Sequence, residues 1–210
     1  MCWLPFERVG NLKRKTMTGK QTSLLPKDPD SSEALNILRA LDRSEVEPFA
    51  LKIVSTIEQH CIRVEVAGSI RRRRPTVNDI DIVIQPKSNS WLQLIKVIRR
   101  EFDAITEKQG QKLATLYMPF ASKQGQGLLQ VDLYRASQRT WGILLLIRTG
   151  SAEHNIYLAK LAIRKGYRLA YSKGLLNEGG EIIASETEQD VFQALGLDYI
   201  PPEERELKKE

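Results

Sequence analysis

Residues 79–84, Asp-Ile-Asp-Ile-Val-Ile, constrain this chain more than any other stretch. Successive side chains of a strand point to opposite faces, so Asp79 and Asp81 share one face while Ile80, Ile82 and Ile84 share the other. Such a strand is stable only where the isoleucines enter a core and the carboxylates meet water, cations or a ligand. Carboxylates at alternate positions, roughly 6.5–7 Å apart at Cα, can embrace one or two ions. An Asp-x-Asp pair alone is more often a surface feature, so the surrounding sequence must carry the assignment.

That surrounding sequence is informative. Ile62, Val64 and Val66 alternate with Arg63 and Glu65, and this strand stops at Ala67-Gly68-Ser69. A glycine there permits close backbone approach, and the Ser69 hydroxyl with nearby N–H groups can hold phosphate oxygens. A basic loop, Arg71 to Asn78, follows; Arg72 has the planar fork that grips a triphosphate in a bidentate way. A pair of metals about 3.5–4 Å apart can activate a hydroxyl and stabilise a leaving oxygen, but needs a third carboxylate on a neighbouring strand. Asp132, within Leu129-Gln130-Val131-Asp132-Leu133 amid residues that otherwise read as buried, is the candidate. The donors are all hard oxygens, which suits two Mg2+ ions, with Mn2+ as an alternative.

The remaining pattern predicts an α+β chain. A helix near 33–41 carries Leu35, Leu38 and Leu41; another follows Ser44, with Glu47 completing a capping box. Trp91 to Phe102 reads as an amphipathic helix, and Lys112–Met118 and Leu128–Tyr134 as two strands joined through Ser122–Gly127. Helices at Thr140–Ile147 and Ala152–Arg164, a small sheet from Tyr167–Leu175 and Gly180–Ile183, and a helix at Thr187–Leu195 with a Ser185-x-x-Glu188 start complete the reading. Three segments result: a basic arm and lead-in helix (1–43), a mixed-sheet domain (44–137) and a helical domain with a short sheet (138–210).

Composition sets limits on partners. A net charge of +6 over 210 residues is clustered in Lys13-Arg14-Lys15, Arg71 to Arg74, and Lys96 with Arg99 and Arg100. Such clusters suit a polyanion, although a solvated basic surface fits charge alone equally well. The longest apolar run, Gly142 to Ile147, is too short for a bilayer. No secretory signal is evident and only Cys2 and Cys61 are present, so a cytoplasmic protein (nucleoid or nuclear by source) without disulfides or a Cys-based zinc site is expected. The lone histidines His60 and His154 are expected to cap or face solvent, and Glu65 to face solvent or form a salt bridge.

Gly68-Ser69-x-Arg71-Arg72 with Asp79-x-Asp81 resembles the nucleotidyltransferase signature of family X DNA polymerases, the polymerase beta group. The resemblance runs over about residues 41–206. Leu41 to Pro48 is similar to the lead-in of the palm, and Val131-Asp132-Leu133 to the strand bearing the third aspartate. Thr149-Gly150-Ser151 with Asn155, then Ala162-x-x-Lys165-Gly166-Tyr167, resembles the thumb. Ser185 to Phe192 and Tyr199 to Glu206 resemble the C-terminal segment. The resemblance implies a nucleotidyltransferase palm and a small helical thumb. By it, Asp79 and Asp81 bind both metals, and Asp132 binds the catalytic metal and orients the primer hydroxyl. Ser69 and Arg72 hold the β- and γ-phosphates with help from Gly68 and Asn78. Thr149, Gly150 and Asn155 flank the sugar and base, as do Ile147 and Arg148, which replace the family's aromatic pair. A thumb arginine near the template falls at Ala159. The helix-hairpin-helix repeats and N-terminal lyase domain are not found, so a minimal palm-and-thumb form is expected, gripping DNA through Arg71, Arg73, Arg74, Lys13, Arg14 and Lys15.

The expected function is a monomeric DNA-directed DNA polymerase that takes dNTPs and primer-template or gapped DNA and fills short gaps in repair. Loss of the aromatic pair keeps open a template-independent or ribonucleotide-accepting terminal transferase. A transferase acting on a protein or small molecule and a non-catalytic DNA-end binder are the remaining alternatives.

Overall fold

The computed structural model describes residues 36–88 and 90–206. The basic arm, with Lys13, Arg14 and Lys15, lies outside the described residues. Strand β1 (Leu41–Asp42) leads into helix α1 (Arg43–Ile57), then β2 (Cys61–Val66), a one-turn helix α2 (Gly68–Arg71), β3 (Thr76–Val77) and β4 (Asp79–Pro86). Helix α3 (Trp91–Glu101) connects to three strands, β5 (Ile105–Gln109), β6 (Leu113–Ser122) and β7 (Gly125–Arg135). The last part holds α4 (Trp141–Thr149), α5 (Ala152–Arg164), β8 (Arg168–Ala170), β9 (Gly174–Leu176), β10 (Ile182–Ala184) and α6 (Glu188–Ala194).

The main sheet runs β2-β4-β7-β6-β5, antiparallel except for the parallel pair β4–β7. One face carries Ile80, Ile82 and Ile84 of β4, Leu129, Val131 and Leu133 of β7, and Ala114, Leu116 and Met118 of β6. Helices α1 and α3 close over it with Val46, Ala50, Ile53, Ile57, Leu94, Ile95 and Ile98, giving one continuous core. The opposite face keeps its polar residues at the β4 start and is apolar farther along. There Val83 and Tyr134 pack with Ala67, Trp141 and Leu145, so α4 seats on the sheet just past the aspartates. A separate cluster (Ile143, Leu146, Leu158, Leu175, Val191 and Phe192 among others) joins α4, α5, α6 and the β10-β9-β8 sheet. This is the α+β architecture expected, with the thumb elements built around their own core. Among the described residues no helix is long and apolar enough to cross a membrane.

Several local expectations need correction. The Leu35, Leu38, Leu41 stripe does not make a helix over 36–41. The Leu38 N–H donates to the Leu128 carbonyl, the Leu128 N–H donates to the Asn36 carbonyl, and Leu41 pairs with Val77. Backbone bonds to the start of β7 and to β3 therefore replace those of a helix. Helix α1 is capped by Asp42, whose carboxylate accepts from the Ser44 N–H at 2.8 Å, and not by Ser44. Glu47 instead pairs with Arg43 at 2.7 Å. Helix α6 likewise starts on Thr187, which accepts from the Asp190 N–H, and not on Ser185. The hairpin strands reach into the expected loop, turning between Ser122 and Gly125.

Candidate active site

Parallel pairing of β4 with β7 sets Asp81 directly opposite Asp132 and Asp79 opposite Gln130. Partners across a ladder point to the same face, so the three aspartates gather on one surface of the sheet. Their electrostatics agree with that placement. Burial, and then repulsion from Asp132, raises Asp79 above the usual carboxylate range. Burial, followed by repulsion from Asp79 and Asp132, pushes Asp81 up to about 7, against hydrogen bonding by Tyr134 and the Arg148 charge. Asp132 itself is 9% exposed. Thr115 Oγ1 donates to its Oδ1 at 2.6 Å and Gln130 Nε2 to its Oδ2 at 3.0 Å.

Glycine 68 opens α2 in the left-handed region, at φ +59°. A Cβ there would lie 2.0 Å from Asp81 Oδ2, so only glycine lets this turn sit against the carboxylate. The Ser69 hydroxyl is buried with no hydrogen-bond partner among the described residues, which suits a group kept for a ligand oxygen. Asn78 is engaged: its side chain accepts from the Ala40 N–H at 2.9 Å and its carbonyl from Arg39 at 3.2 Å. It braces the approach to β4.

The arginines of the basic loop divide. Arg71 makes a bidentate pair with Glu188 of α6 and donates to Thr149 Oγ1 at 2.7 Å. Arg205, fully buried, reaches the same carboxylate at 2.7 Å. Burial opposes ionisation of Glu188, but hydrogen bonds from Arg71 and Arg205 hold it below its ordinary value. Arg72 pairs with Glu206 at 2.6 Å and donates to the Thr149 carbonyl, while Arg74 lies 3.6 Å from Glu206. Arg73 follows in a left-handed turn. Arg71 is thus a link between the sheet domain and α6, whereas Arg72 remains beside Gly150, its Nη1 about 3.1 Å from where a Cβ would stand.

The residues expected around the sugar are also placed. Ile147 is buried in the thumb core. Asn155 donates to the Ile147 carbonyl at 2.9 Å, and its own Oδ1 is buried without a partner among the described residues. Thr149 is fully buried, and Gly150 adopts φ +73°. Arg148, exposed, stacks 4.0 Å over the Tyr134 ring. Glu65 lies 3.9 Å from Arg71, as a partly exposed salt bridge. His154 contradicts expectation: it is 1% exposed and packs against Phe192, and burial followed by the nearby Arg205 charge lowers it to about 4. Its helix position beside Ser151 turned it inward, which a lone histidine in sequence does not reveal.

Gln130, Thr115 and Tyr134 are site residues that sequence reasoning missed. Gln130 and Tyr134 flank Asp132 at i−2 and i+2, so strand alternation did place them on its face. Thr115, Glu188 and Glu206 reach the site only through tertiary folding, and no local signal marks them.

The donor set suits a hard divalent cation: three carboxylates on one face of the sheet, and no thiol or imidazole among them. Among the described residues, no group of three or more His, Cys, Asp and Glu side chains is arranged to hold a metal by itself. That is compatible with Mg2+, which commonly takes one or two carboxylates and completes its shell with phosphate oxygens and water.

Fold and site together define an α+β palm carrying three clustered aspartates, followed by a small helical thumb. The DNA polymerase beta thumb model matches residues 144–206. The chain is 27% identical over 186 residues to DNA polymerase/3′-5′ exonuclease PolX of Bacillus subtilis (strain 168), covering 83% of this chain and 32% of that protein. It is 30% identical over 159 residues to DNA polymerase lambda of Rattus norvegicus, covering 66% of this chain and 28% of that protein. The chain is thus similar to DNA polymerases of this kind along most of its length, and to the polymerase beta thumb over its C-terminal third. It spans about a third of the length of these curated relatives.

Proposed function

We propose that this protein is a DNA-directed DNA polymerase that adds dNTPs to a primer 3′-hydroxyl by a two-metal mechanism and fills short gaps in DNA. The observation that carries the reading is the register of β4 and β7, which sets Asp81 against Asp132 on the face that also bears Asp79. Asp79 and Asp81 would hold two divalent ions, and Asp132 the ion nearer the primer. Bound there, Mg2+ supplies charge neutralisation on the triphosphate and acidifies the primer hydroxyl. The chain's own part is positioning. The Ser69 hydroxyl and the α2 turn receive β- and γ-phosphate oxygens, and Arg72 exchanges Glu206 for the triphosphate. Thr115 and Gln130 fix Asp132 so that its carboxylate orients the 3′-hydroxyl in line with the α-phosphorus. The 3′-hydroxyl gives up its proton to solvent, the O3′–Pα bond forms, the bond from Pα to the bridging oxygen breaks, and pyrophosphate leaves. No covalent intermediate is required, because phosphoryl transfer depends chiefly on alignment and charge stabilisation.

Primer extension on one-nucleotide-gapped duplex, with each dNTP offered singly, tests this. Template-directed incorporation is expected, abolished by Asp132→Ala with DNA binding largely retained. Unchanged function in Asp132→Ala would make the protein a DNA-end binder. A second reading, a template-independent or ribonucleotide-accepting transferase, is favoured by one observation: Ile147 is buried in the thumb and Arg148 stacks on Tyr134, so neither offers an aromatic wall to the sugar. Incorporation of rNTPs, or of nucleotides that ignore the template base, would establish it.

A further inference from the structure

The aspartate cluster is braced from one side by a pair that the reading above leaves without a role. Tyr134 stands two residues after Asp132 on β7 and is 8% exposed. Its hydroxyl lies 3.5 Å from Asp132 Oδ2, on the sheet face that also carries Asp81 directly opposite Asp132, so it stands beside carboxylates of two strands. Its ring is held on the inner side by Val83, Ala67, Trp141 and Leu145. On the outer side the Arg148 guanidinium covers it, its carbon 4.0 Å from the ring centre, the closest cation–π contact among the described residues. Strand β7 thus presents the hydroxyl, and α4 of the thumb presents the cation that fixes the ring.

We propose that Tyr134 and Arg148 form a positioning pair: the Tyr134 hydroxyl holds Asp81 and Asp132 in the separation that divalent ions need, and Arg148 clamps the ring from the thumb. This rests on the reading that the aspartates bind divalent ions. Three like charges in one poorly hydrated corner repel, and flexible carboxylates relieve repulsion by turning apart. A hydrogen-bond donor between two of them opposes that motion, as outer partners of metal ligands generally do. The stack has a second consequence. Arg148 belongs to α4, which carries Thr149 and Gly150 to Arg72, so the thumb's position on the sheet is tied to the geometry of the carboxylates.

The experiment measures Mn2+ binding by electron paramagnetic resonance, with a non-hydrolysable dNTP present and DNA absent, alongside primer-extension kinetics in Mn2+. Tyr134→Phe keeps the ring and removes only the hydroxyl; Mn2+ affinity and kcat should each fall ~10-fold, with the dNTP KM unchanged. Arg148→Ala should move both in the same direction, and Arg148→Lys, which restores a cation over the ring, should recover most of the loss. Thermal melts of each variant check that the fold is intact. Parental Mn2+ affinity and kcat in Tyr134→Phe would overturn the pair, provided that Asp132→Asn loses Mn2+. If Asp132→Asn binds Mn2+ like the parent, the metal reading itself fails, and the pair with it.

Discussion

Asp81 shows how a single side chain sets function against stability. Its carboxyl is pushed up to about 7 by burial and by Asp79 and Asp132, whereas in the unfolded chain it titrates near the ordinary 3.8. Between those values the folded state holds the proton more tightly, so this group's contribution is complete below about pH 4 and is lost as pH rises through about 7. Asp81→Asn removes the loss. In ion-free buffer the variant should be more stable than the parent at pH 8 by on the order of 3 kcal/mol, with the gap shrinking towards pH 5, and should not extend primers. Thermal melts in EDTA at the two pH values check this; equal melting temperatures would refute the raised Asp81 carboxyl. His154 has the opposite sign. Lowered to about 4 from 6.5, it contributes stability above about pH 6.5 that disappears as pH falls towards 4, so acid melts of the parent should show a loss absent from His154→Leu.

At the scale of elements, the α2 turn is the tightest constraint. Gly68→Ala must place a methyl 2.0 Å from Asp81 Oδ2 and hold an alanine at φ +59°. The variant should lose ~2–3 kcal/mol in denaturant unfolding and, under the proposed function, most of its primer extension. Strand β4 was legible because its two faces differ chemically, and α5 because its caps and period agree, so the observed Ala152–Arg164 coincides with the expected span. Strand β5 was not legible. It reads Ile-Thr-Glu-Lys-Gln, is largely exposed, and among the described residues pairs with β6 alone, so no apolar alternation marks it. The 36–41 segment misled for another reason. Its leucines have helical spacing, but Asn36 and Leu38 bond to Leu128, and Gly127 allows that approach because a Cβ there would lie 2.6 Å from the Asn36 carbonyl. Partners about 90 residues away decided its conformation. The three aspartates, by contrast, needed only strand alternation and one pairing to come together, which is why the centre of the site was readable while its supports were not.

Across the whole molecule, the palm sheet and the thumb are tied by two ionic links of different kinds. The Arg71–Glu188–Arg205 link is buried, with Glu188 5% and Arg205 0% exposed, so each charge depends on the others for its solvation. Glu188→Gln leaves two arginines facing a neutral amide and should lower stability by about 3 kcal/mol, seen as an earlier denaturant midpoint. The Arg72–Glu206 link is more open and exchangeable. Under the proposed function, Arg72 has to leave Glu206 to meet a triphosphate, and Glu206 occupies it much as an anionic ligand would. Removing that competitor makes a discriminating test of the link between thumb and nucleotide. Glu206→Gln should tighten dNTP binding about 3-fold, the share expected of a partly exposed ion pair, with little change in kcat. Arg72→Ala should weaken binding whether or not Glu206 is present. If Glu206→Gln instead weakens dNTP binding, the glutamate aligns Arg72 for the phosphates, and the two do not compete.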